Sequence, residues 1–130
     1  MLVQNFRGRT GLEADLVVSG HAGGVPAEIA EVLHAVAREA LANVERHAHA
    51  SAVALHLSVD GRSATLTVQD DGIGAARVVI RTVAESDIHF GLRDLQARLE
   101  QVSGTLAASP GDDGGFVLRA SVPLKAPFQA

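Results

Sequence analysis

Residues 26–47 read PAEIAEVLHAVAREALANVERH, and this stretch decides how the chain folds. Its apolar residues recur at spacings of three and four, which is the period of an amphipathic helix. Proline is tolerated in a first helical turn, so Pro26 indicates where the helix begins. The pattern predicts a helix from Pro26 to about His47 with one apolar stripe: Ile29, Val32, Leu33, Val36, Ala40, Leu41 and Val44.

Strand patterns flank this helix on both sides. Residues 12–18 are short and apolar-rich, and residues 52–59 and 64–68 alternate around Asp60-Gly61, a strong hairpin signal. A second helix is predicted from Gly91 to Val102, ended by Gly104. Further predictions are a loop over residues 70–89, with a short helix near 75–83, and a final hairpin of strands 105–109 and 116–123. Together these elements predict an α+β fold, a sheet with helices on one face.

Composition limits the possible classes of function. The 130 residues fit one domain, here residues 1–130 with a core at about 12–124, and 47% are hydrophobic. A net charge of -4 and a lack of Trp and Tyr argue against a nucleic-acid partner. The absence of cysteine excludes disulfides and thiolate metal sites. No apolar run is long enough to span a membrane, so we expect a cytoplasmic fragment without membrane contact.

The long helix carries four candidate polar residues: Glu39, Asn43, Arg46 and His47. We predict that they lie away from the apolar stripe, where charged helix residues are usually only solvated. Asn43 is different, because Asn is a mediocre helix former and its place inside a helix needs a reason. A side-chain oxygen offered to a hard cation such as Mg²⁺ is one such reason.

Two glycine-containing motifs are further candidates. The first, Asp70-Asp71-Gly72-Ile73-Gly74, follows a strand and is either a plain turn or a loop that approaches a ligand closely. The second, His89-Phe90-Gly91-Leu92, leads into a helix and is either an N-cap or an anion site. Neither fits a dinucleotide fingerprint, since Arg77 replaces the third glycine, and no P-loop pattern occurs. The histidines lack the spacing of a transition-metal site, and no acyl-transfer nucleophile motif is present.

Order and spacing of the three sites resemble the catalytic ATP-binding domain of sensor histidine kinases. Residues 38–48, REALANVERHA, resemble the N box, residues 70–74 the G1 box and residues 89–92 the G2 box. Residues 93–99, RDLQARL, resemble the helix after the ATP lid in the subfamily of nitrate and heme-based sensors. The likeness extends over about residues 26–124. It implies a Bergerat-type ATP-binding α/β sandwich with a mixed, mainly antiparallel sheet, as in gyrase-like ATPases and Hsp90-type chaperones.

The resemblance also implies roles for the candidate residues. Asp70 accepts a hydrogen bond from the adenine amino group, while Gly72 and Gly74 let the loop pass beneath the base. Asn43 ligates a Mg²⁺ ion held by the phosphates, and Glu39 orients a water or acts as the base. The remaining residues lie toward the phosphates: Arg46 and His47 from the helix, and His89, Gly91 and Leu92 from the G2 box, with residues 75–90 as the ATP lid.

Two positions depart from the family pattern. Ile88 stands where many relatives have glycine, which puts phosphate contacts of the lid in doubt. Gly115 stands where relatives often have threonine, so a hydroxyl near the adenine is missing. No acceptor-like histidine on a helical hairpin is found, so we expect the sensor, dimerisation and phosphoacceptor regions to be absent from this chain.

The predicted activity is therefore that of a protein-histidine kinase catalytic domain. It passes the ATP γ-phosphate to a histidine on a separate dimerisation domain, and a response regulator is an indirect partner. Two alternatives stay open at this stage. One is a serine kinase of the anti-sigma-factor type, which has the same fold, and the other is a degenerate module that binds partners without ATP.

Overall fold

The computed structural model describes residues 2–45, 51–72, 87–110 and 115–124. One five-stranded sheet has the order β1-β2-β3-β5-β4, in which β1 is parallel to β2 and every other neighbouring pair is antiparallel. The predicted α+β fold is confirmed. The elements in chain order are α1 (Leu2–Thr10), β1 (Glu13–Gly20), a 3-10 turn (Ala22–Gly24), α2 (Ala27–Asn43), β2 (Ala52–Val59), β3 (Ser63–Asp70), α3 (Asp87–Glu100), β4 (Thr105–Pro110) and β5 (Phe116–Pro123).

The core lies between the helices and one face of the sheet. Alternate residues are buried along β3 and β5, which is the burial pattern of a sheet covered on one side. Helix α2 contacts α3, β3 and β5, and it supplies most of the helical part of the core. No helix in the described part of the chain is long and apolar enough to cross a lipid bilayer. The largest fully buried side chains are Phe6, Leu41, Leu99, Leu118, Val36 and Val122.

Helix α2 confirms the apolar stripe, and the last two residues of the predicted helix, Arg46 and His47, lie outside the described residues. Its regular part is Ala27–Asn43, and residues 44–45 continue in a wider, π-type turn. The N–H of Val44 is shared between the carbonyls of Ala40 and Leu41, four and three residues earlier, as is common at the end of a helix. Short π-type turns of this kind are frequent beside functional sites.

Helix α3 begins at Asp87, four residues before the predicted start at Gly91. The prediction followed the glycine, which is a poor helix former, whereas aspartate is favoured at a helix start. Gly91 therefore lies in the second turn. The free N–H groups of a helix belong to its first four residues, here 87–90, so Gly91 does not lie at the helix start on which the predicted anion site was based.

The C-terminal end of α3 also differs in detail. The residue in the left-handed conformation is Ser103, with φ 63°, and not the predicted terminator Gly104. The Gly104 N–H donates to the Leu99 carbonyl at 2.7 Å, and the Ser103 N–H donates to the Glu100 carbonyl at 3.1 Å. This pair of bonds is a Schellman motif. Gly104 is small for a different reason, because a Cβ there would lie 3.0 Å from the Ser121 carbonyl.

Helix α1 was not predicted. Its nine residues carry few apolar side chains, but Phe6 is only 1% exposed and so extends the core toward the N-terminus. The Thr10 hydroxyl donates to the Phe6 carbonyl at 2.7 Å, and Gly11, at φ 76°, donates its N–H to the Arg7 carbonyl. One buried aromatic ring and this C-terminal cap stabilise the helix, whereas its weak periodicity gave no signal.

Candidate functional site

The candidate site lies where the end of β3 meets the starts of β2 and β5. Asp70, the last residue of β3, pairs with Val53 of β2 on one side and with Phe116 of β5 on the other. The chain leaves α2 after Asn43 and enters β2 at Ala52. The sheet therefore brings the first glycine motif beside the segment that follows the N-box helix, as the resemblance requires.

Asp70 is a buried carboxylate at this strand end. Its side chain is 5% exposed, and its Oδ1 accepts the Gly72 N–H at 2.8 Å. Burial raises the pKa of Asp70, although the Gly72 hydrogen bond opposes this and the nearby charge of Asp71 adds to it. A buried carboxylate whose orientation is fixed by the next turn is suited to accept a hydrogen bond from a ligand amine.

Asp71 anchors the start of β2. One of its carboxylate oxygens accepts the N–H groups of Ser51 and Ala52 at 2.8 and 3.0 Å. The other accepts the Ser51 hydroxyl at 2.7 Å. These bonds, that of the Ser51 hydroxyl first, lower the pKa of Asp71. In the sequence, Asp71 belongs to a motif interpreted as a turn or a ligand loop, and no local pattern predicts its contact with Ser51, twenty residues away.

Gly115 is packed against the backbone of Asp70. It has φ 80°, and a Cβ built there would overlap the Asp70 carbonyl and lie 3.2 Å from the Asp71 Cα. A threonine cannot take this position without moving the strand end. The sequence interpretation of Gly115 as a lost hydroxyl is therefore incomplete, because in this chain the glycine is what lets β5 begin beside Asp70.

Helix α2 positions Glu39 and Asn43. The prediction that neither is needed for burial is wrong for Asn43, which is 8% exposed. Asn43 lies three residues after Ala40, which itself lies four residues after Val36. It therefore continues the apolar stripe to the end of the helix. Glu39 is half-buried one turn earlier, and both residues have interaction partners in the fold. Asn43 and Asp70 are the buried polar residues of the described part of the chain.

The other predicted site residues are only partly accounted for. Arg46, His47 and Gly74 lie outside the described residues, as does the short helix predicted near residues 75–83. His89, Gly91 and Leu92 belong to the first turns of α3. Their predicted roles toward phosphate stay predictions.

Comparisons with known proteins agree with the fold and show the family. Residues 28–126 match the family described as histidine kinase-, DNA gyrase B-, and HSP90-like ATPase. The sensor histidine kinase MctS of Rhizobium johnstonii is 36% identical over 96% of this chain, which spans 26% of MctS. The nitrate/nitrite sensor protein NarX of Escherichia coli is 32% identical over 70% of the chain, corresponding to 14% of NarX.

The fold is shared with a solved nucleotide-binding domain. The ATP binding domain of PrrB from Mycobacterium tuberculosis has a TM-score of 0.72 at 20% identity, with 96% of this chain and 93% of that one covered. At this identity the likeness shows the fold. The family match and the sequence relatives go beyond the fold: they identify the family and confirm the predicted class of protein. The chain belongs to the histidine kinase-, DNA gyrase B-, and HSP90-like ATPase family, as an ATP-binding domain of the sensor histidine kinase type.

Proposed function

We propose that this domain binds ATP with Mg²⁺ at the end of β3 and donates the γ-phosphate to a histidine on a separate dimerisation domain of the parent kinase. The chain spans only 26% of the relative MctS, and we assign the acceptor histidine to another part of the parent kinase. The observation that carries the proposal is the buried, oriented carboxylate of Asp70 between β2 and β5.

At the adenine end, we assign Asp70 Oδ2 to the exocyclic amino group of the base. Its Oδ1 already accepts the Gly72 N–H, and this bond holds the carboxylate plane. Neither Gly72 nor Gly115 places a side chain beside Asp70. Gly115 packs against the Asp70 carbonyl and so fixes the end of β3. Gly74 is assigned to the backbone beneath the base. A hydrogen bond from a neutral amine to a buried carboxylate contributes about 1.5–3 kcal/mol to affinity.

At the phosphate end, α2 supplies the oxygen ligand. The buried Asn43 side chain is assigned to Mg²⁺, which when bound neutralises charge on the phosphates, and Glu39 is assigned to an attacking group or water. Arg46 and His47 follow on the same segment and are assigned to phosphate oxygens. His89, Gly91 and Leu92 are assigned to the other side of the triphosphate. In this chemistry the protein mainly positions groups and offsets charge.

The partners follow from this chemistry. We assign the domain to the cytoplasm, where ATP is supplied, and to a parent kinase whose response regulator takes the phosphate from the histidine. A net charge of -4 gives no basic surface for nucleic acid. The serine-kinase alternative predicts a different acceptor, and the degenerate alternative predicts no nucleotide binding. Gly115, which departs from the family pattern, does not support the degenerate alternative, since the backbone requires a glycine there.

Calorimetric titration with a non-hydrolysable ATP analogue and Mg²⁺ tests the binding step. We expect Asp70→Asn to weaken binding by about tenfold or more, because the amide presents a donor to the adenine amine. Asn43→Ala should lower the Mg²⁺ dependence of binding. Asp60→Asn is the matched control, since Asp60 also accepts backbone N–H groups at a strand end, those of Arg62 and Ser63, but in the hairpin far from the site. Equal affinities for all variants would contradict the assignment.

Phosphotransfer is tested by incubating the chain with radiolabelled ATP and a dimerisation domain taken from a sensor histidine kinase. The expected product is an acid-labile phosphate on that domain, which is absent when its histidine is replaced by alanine. An acid-stable phosphate on a serine of a partner protein would instead support the anti-sigma-factor alternative. Nucleotide binding without any transfer would overturn the kinase assignment and leave only the binding step.

A further inference from the structure

One edge of the sheet carries an apolar surface that the proposed function does not use. Strand β1 lies at this edge, with β2 on one side only. Among the described residues, the exposed large hydrophobic side chains are three consecutive members of β1: Leu16 at 46%, Val17 at 58% and Val18 at 46% exposure. Natural sheet edges normally carry charges, prolines or bulges that prevent pairing. Strand β1 has charges at Glu13 and Asp15, but its part from Leu16 to Gly20 has no charge and no proline.

The backbone of β1 is oriented for further pairing. The Glu13 N–H donates to the Ser51 carbonyl at 3.2 Å, so it points toward β2. Hydrogen-bonding groups alternate in direction along a strand, and those of Asp15 and Val17 therefore also point toward β2. The N–H and C=O groups of Leu16 and Val18 point to the open side. Two such residues form a hydrogen-bonded pair when they face each other in an antiparallel ladder.

We infer that β1 pairs with β1 of a second copy of this chain, antiparallel, about a two-fold axis at Val17. In this register Leu16 of one copy faces Val18 of the other, and Val17 faces Val17. All three exposed apolar residues then meet apolar residues. Asp15 faces the Ser19 hydroxyl, so no like charges are opposed. The two sheets become one, and the unpaired edge disappears.

Two neighbouring registers also let the outward-pointing residues of both strands form hydrogen bonds, but the side chains that face each other in them match less well. A shift of the axis to Leu16 sets the Asp15 carboxylate against Val17. A shift to Val18 sets Leu16 against Gly20 and Val17 against Ser19. The register centred on Val17 also lets Val18 of the second copy cover Leu16, which is one wall of an apolar cavity of about 790 Å³ between α1, β1 and α2. The sequence of β1 is thus complementary to itself, which identifies the occupant as a second copy.

Single cysteines test the pairing cleanly, because the chain has no cysteine of its own. In a non-hydrogen-bonded antiparallel pair the Cα atoms are about 4.5 Å apart, within the range that a disulfide spans. We expect Val17→Cys to cross-link into a dimer under mild oxidation without nucleotide. The matched control is Ala107→Cys, an exposed residue of β4 at the other edge, which should cross-link at least about tenfold more slowly.

Further variants test the register of the proposed β1 pairing. Leu16→Cys and Val18→Cys should each cross-link poorly alone and well when mixed, since each faces the other residue across the axis. Val17→Lys should weaken self-association in sedimentation by about tenfold or more, with unchanged thermal unfolding, because it opposes two like charges. A wild-type chain that stays monomeric at high concentration, or a Val17→Cys rate equal to the Ala107→Cys rate, would overturn the inference. Because no nucleotide is present, neither result bears on ATP binding.

Discussion

Asp70 and Asp71 are adjacent residues whose pKa values the fold shifts in opposite directions. Burial raises that of Asp70, and the Ser51 and Ala52 hydrogen bonds lower that of Asp71. The first carboxylate, which we propose binds the adenine, is buried at some cost in stability, and the second holds the chain that brings β2 beside it. The two roles predict opposite dependences of stability on pH.

For Asp70, the folded state binds the carboxyl proton more tightly than the unfolded state. Its contribution therefore lowers the free energy of unfolding as the pH rises from the ordinary value of 3.8 toward the raised pKa. We predict that Asp70→Asn, which keeps an acceptor for the Gly72 N–H, is at least as stable as the wild type at pH 7. Urea denaturation over a pH series measures this. A loss of more than about 1 kcal/mol in Asp70→Asn would contradict it.

For Asp71, the folded pKa is lowered, so its contribution is fully present above the unfolded value of 3.8 and is lost as the pH falls through the folded pKa. We predict that Asp71→Ala lowers the free energy of unfolding at pH 7 by about 1 kcal/mol, a modest figure because the bonds are exposed to solvent. The difference from the wild type should shrink in acid. The same urea titrations test it, and a difference that is constant with pH would refute the assigned cause.

At the scale of elements, the end of α3 holds a serine where the backbone favours glycine. Ser103 has φ 63° in the Schellman motif. We predict that Ser103→Gly raises the free energy of unfolding by about 1 kcal/mol, since the left-handed strain is removed. Ser109→Gly in β4 is the control and should be destabilising, because glycine in a strand loses more entropy on folding. Thermal or urea unfolding of both variants measures the two changes in the free energy of unfolding. Changes of the same sign would contradict the strain assigned to Ser103.

Gly115 and Gly11 separate two reasons why a position requires glycine. Both have positive φ, 80° and 76°, but a Cβ at Gly11 meets nothing within 4 Å whereas one at Gly115 overlaps the Asp70 carbonyl. We predict a loss of about 1 kcal/mol for Gly11→Ala from strain alone, and of about 2–4 kcal/mol for Gly115→Ala. Only Gly115→Ala should also weaken binding of the ATP analogue. Similar losses for both variants would show that the β5 start can move freely.

The sequence predicts elements better than their ends. The α2 stripe, the two hairpins and the β3 strand end all follow from periodicity and turn residues. The start of α3 and the left-handed Ser103 do not, because propensity places boundaries at glycines while hydrogen bonding sets them elsewhere. Helix α1 depends on one buried ring, that of Phe6, which is a tertiary effect. The hydrogen bond between Asp71 and Ser51 joins residues that are twenty apart in the sequence, and no local pattern specifies such a contact.

At the scale of the whole molecule, nucleotide binding should be visible as stability. A ligand that binds only the folded state adds about 2.7 kcal/mol at a concentration of one hundred times its Kd. We predict a rise of several degrees in the Tm of the wild type with Mg²⁺ and the ATP analogue, and a rise of about half that size or less for Asp70→Asn, since tenfold weaker binding leaves about 1.4 kcal/mol. Differential scanning calorimetry measures both. An equal rise in the variant would mean that the nucleotide binds elsewhere.

The register of the sheet also gives the domain two unlike poles. Asp70, Val53 and Phe116 lie side by side at one pole, while the β2–β3 hairpin closes the other, where Val59 pairs with Ala64. A Cβ at Gly61 in that hairpin meets nothing within 4 Å. In a chain without cysteine, a thiol introduced there is a unique handle for a fluorophore or a surface tether. The domain can thus be labelled or immobilised by its far pole, with its nucleotide-binding pole facing the solution.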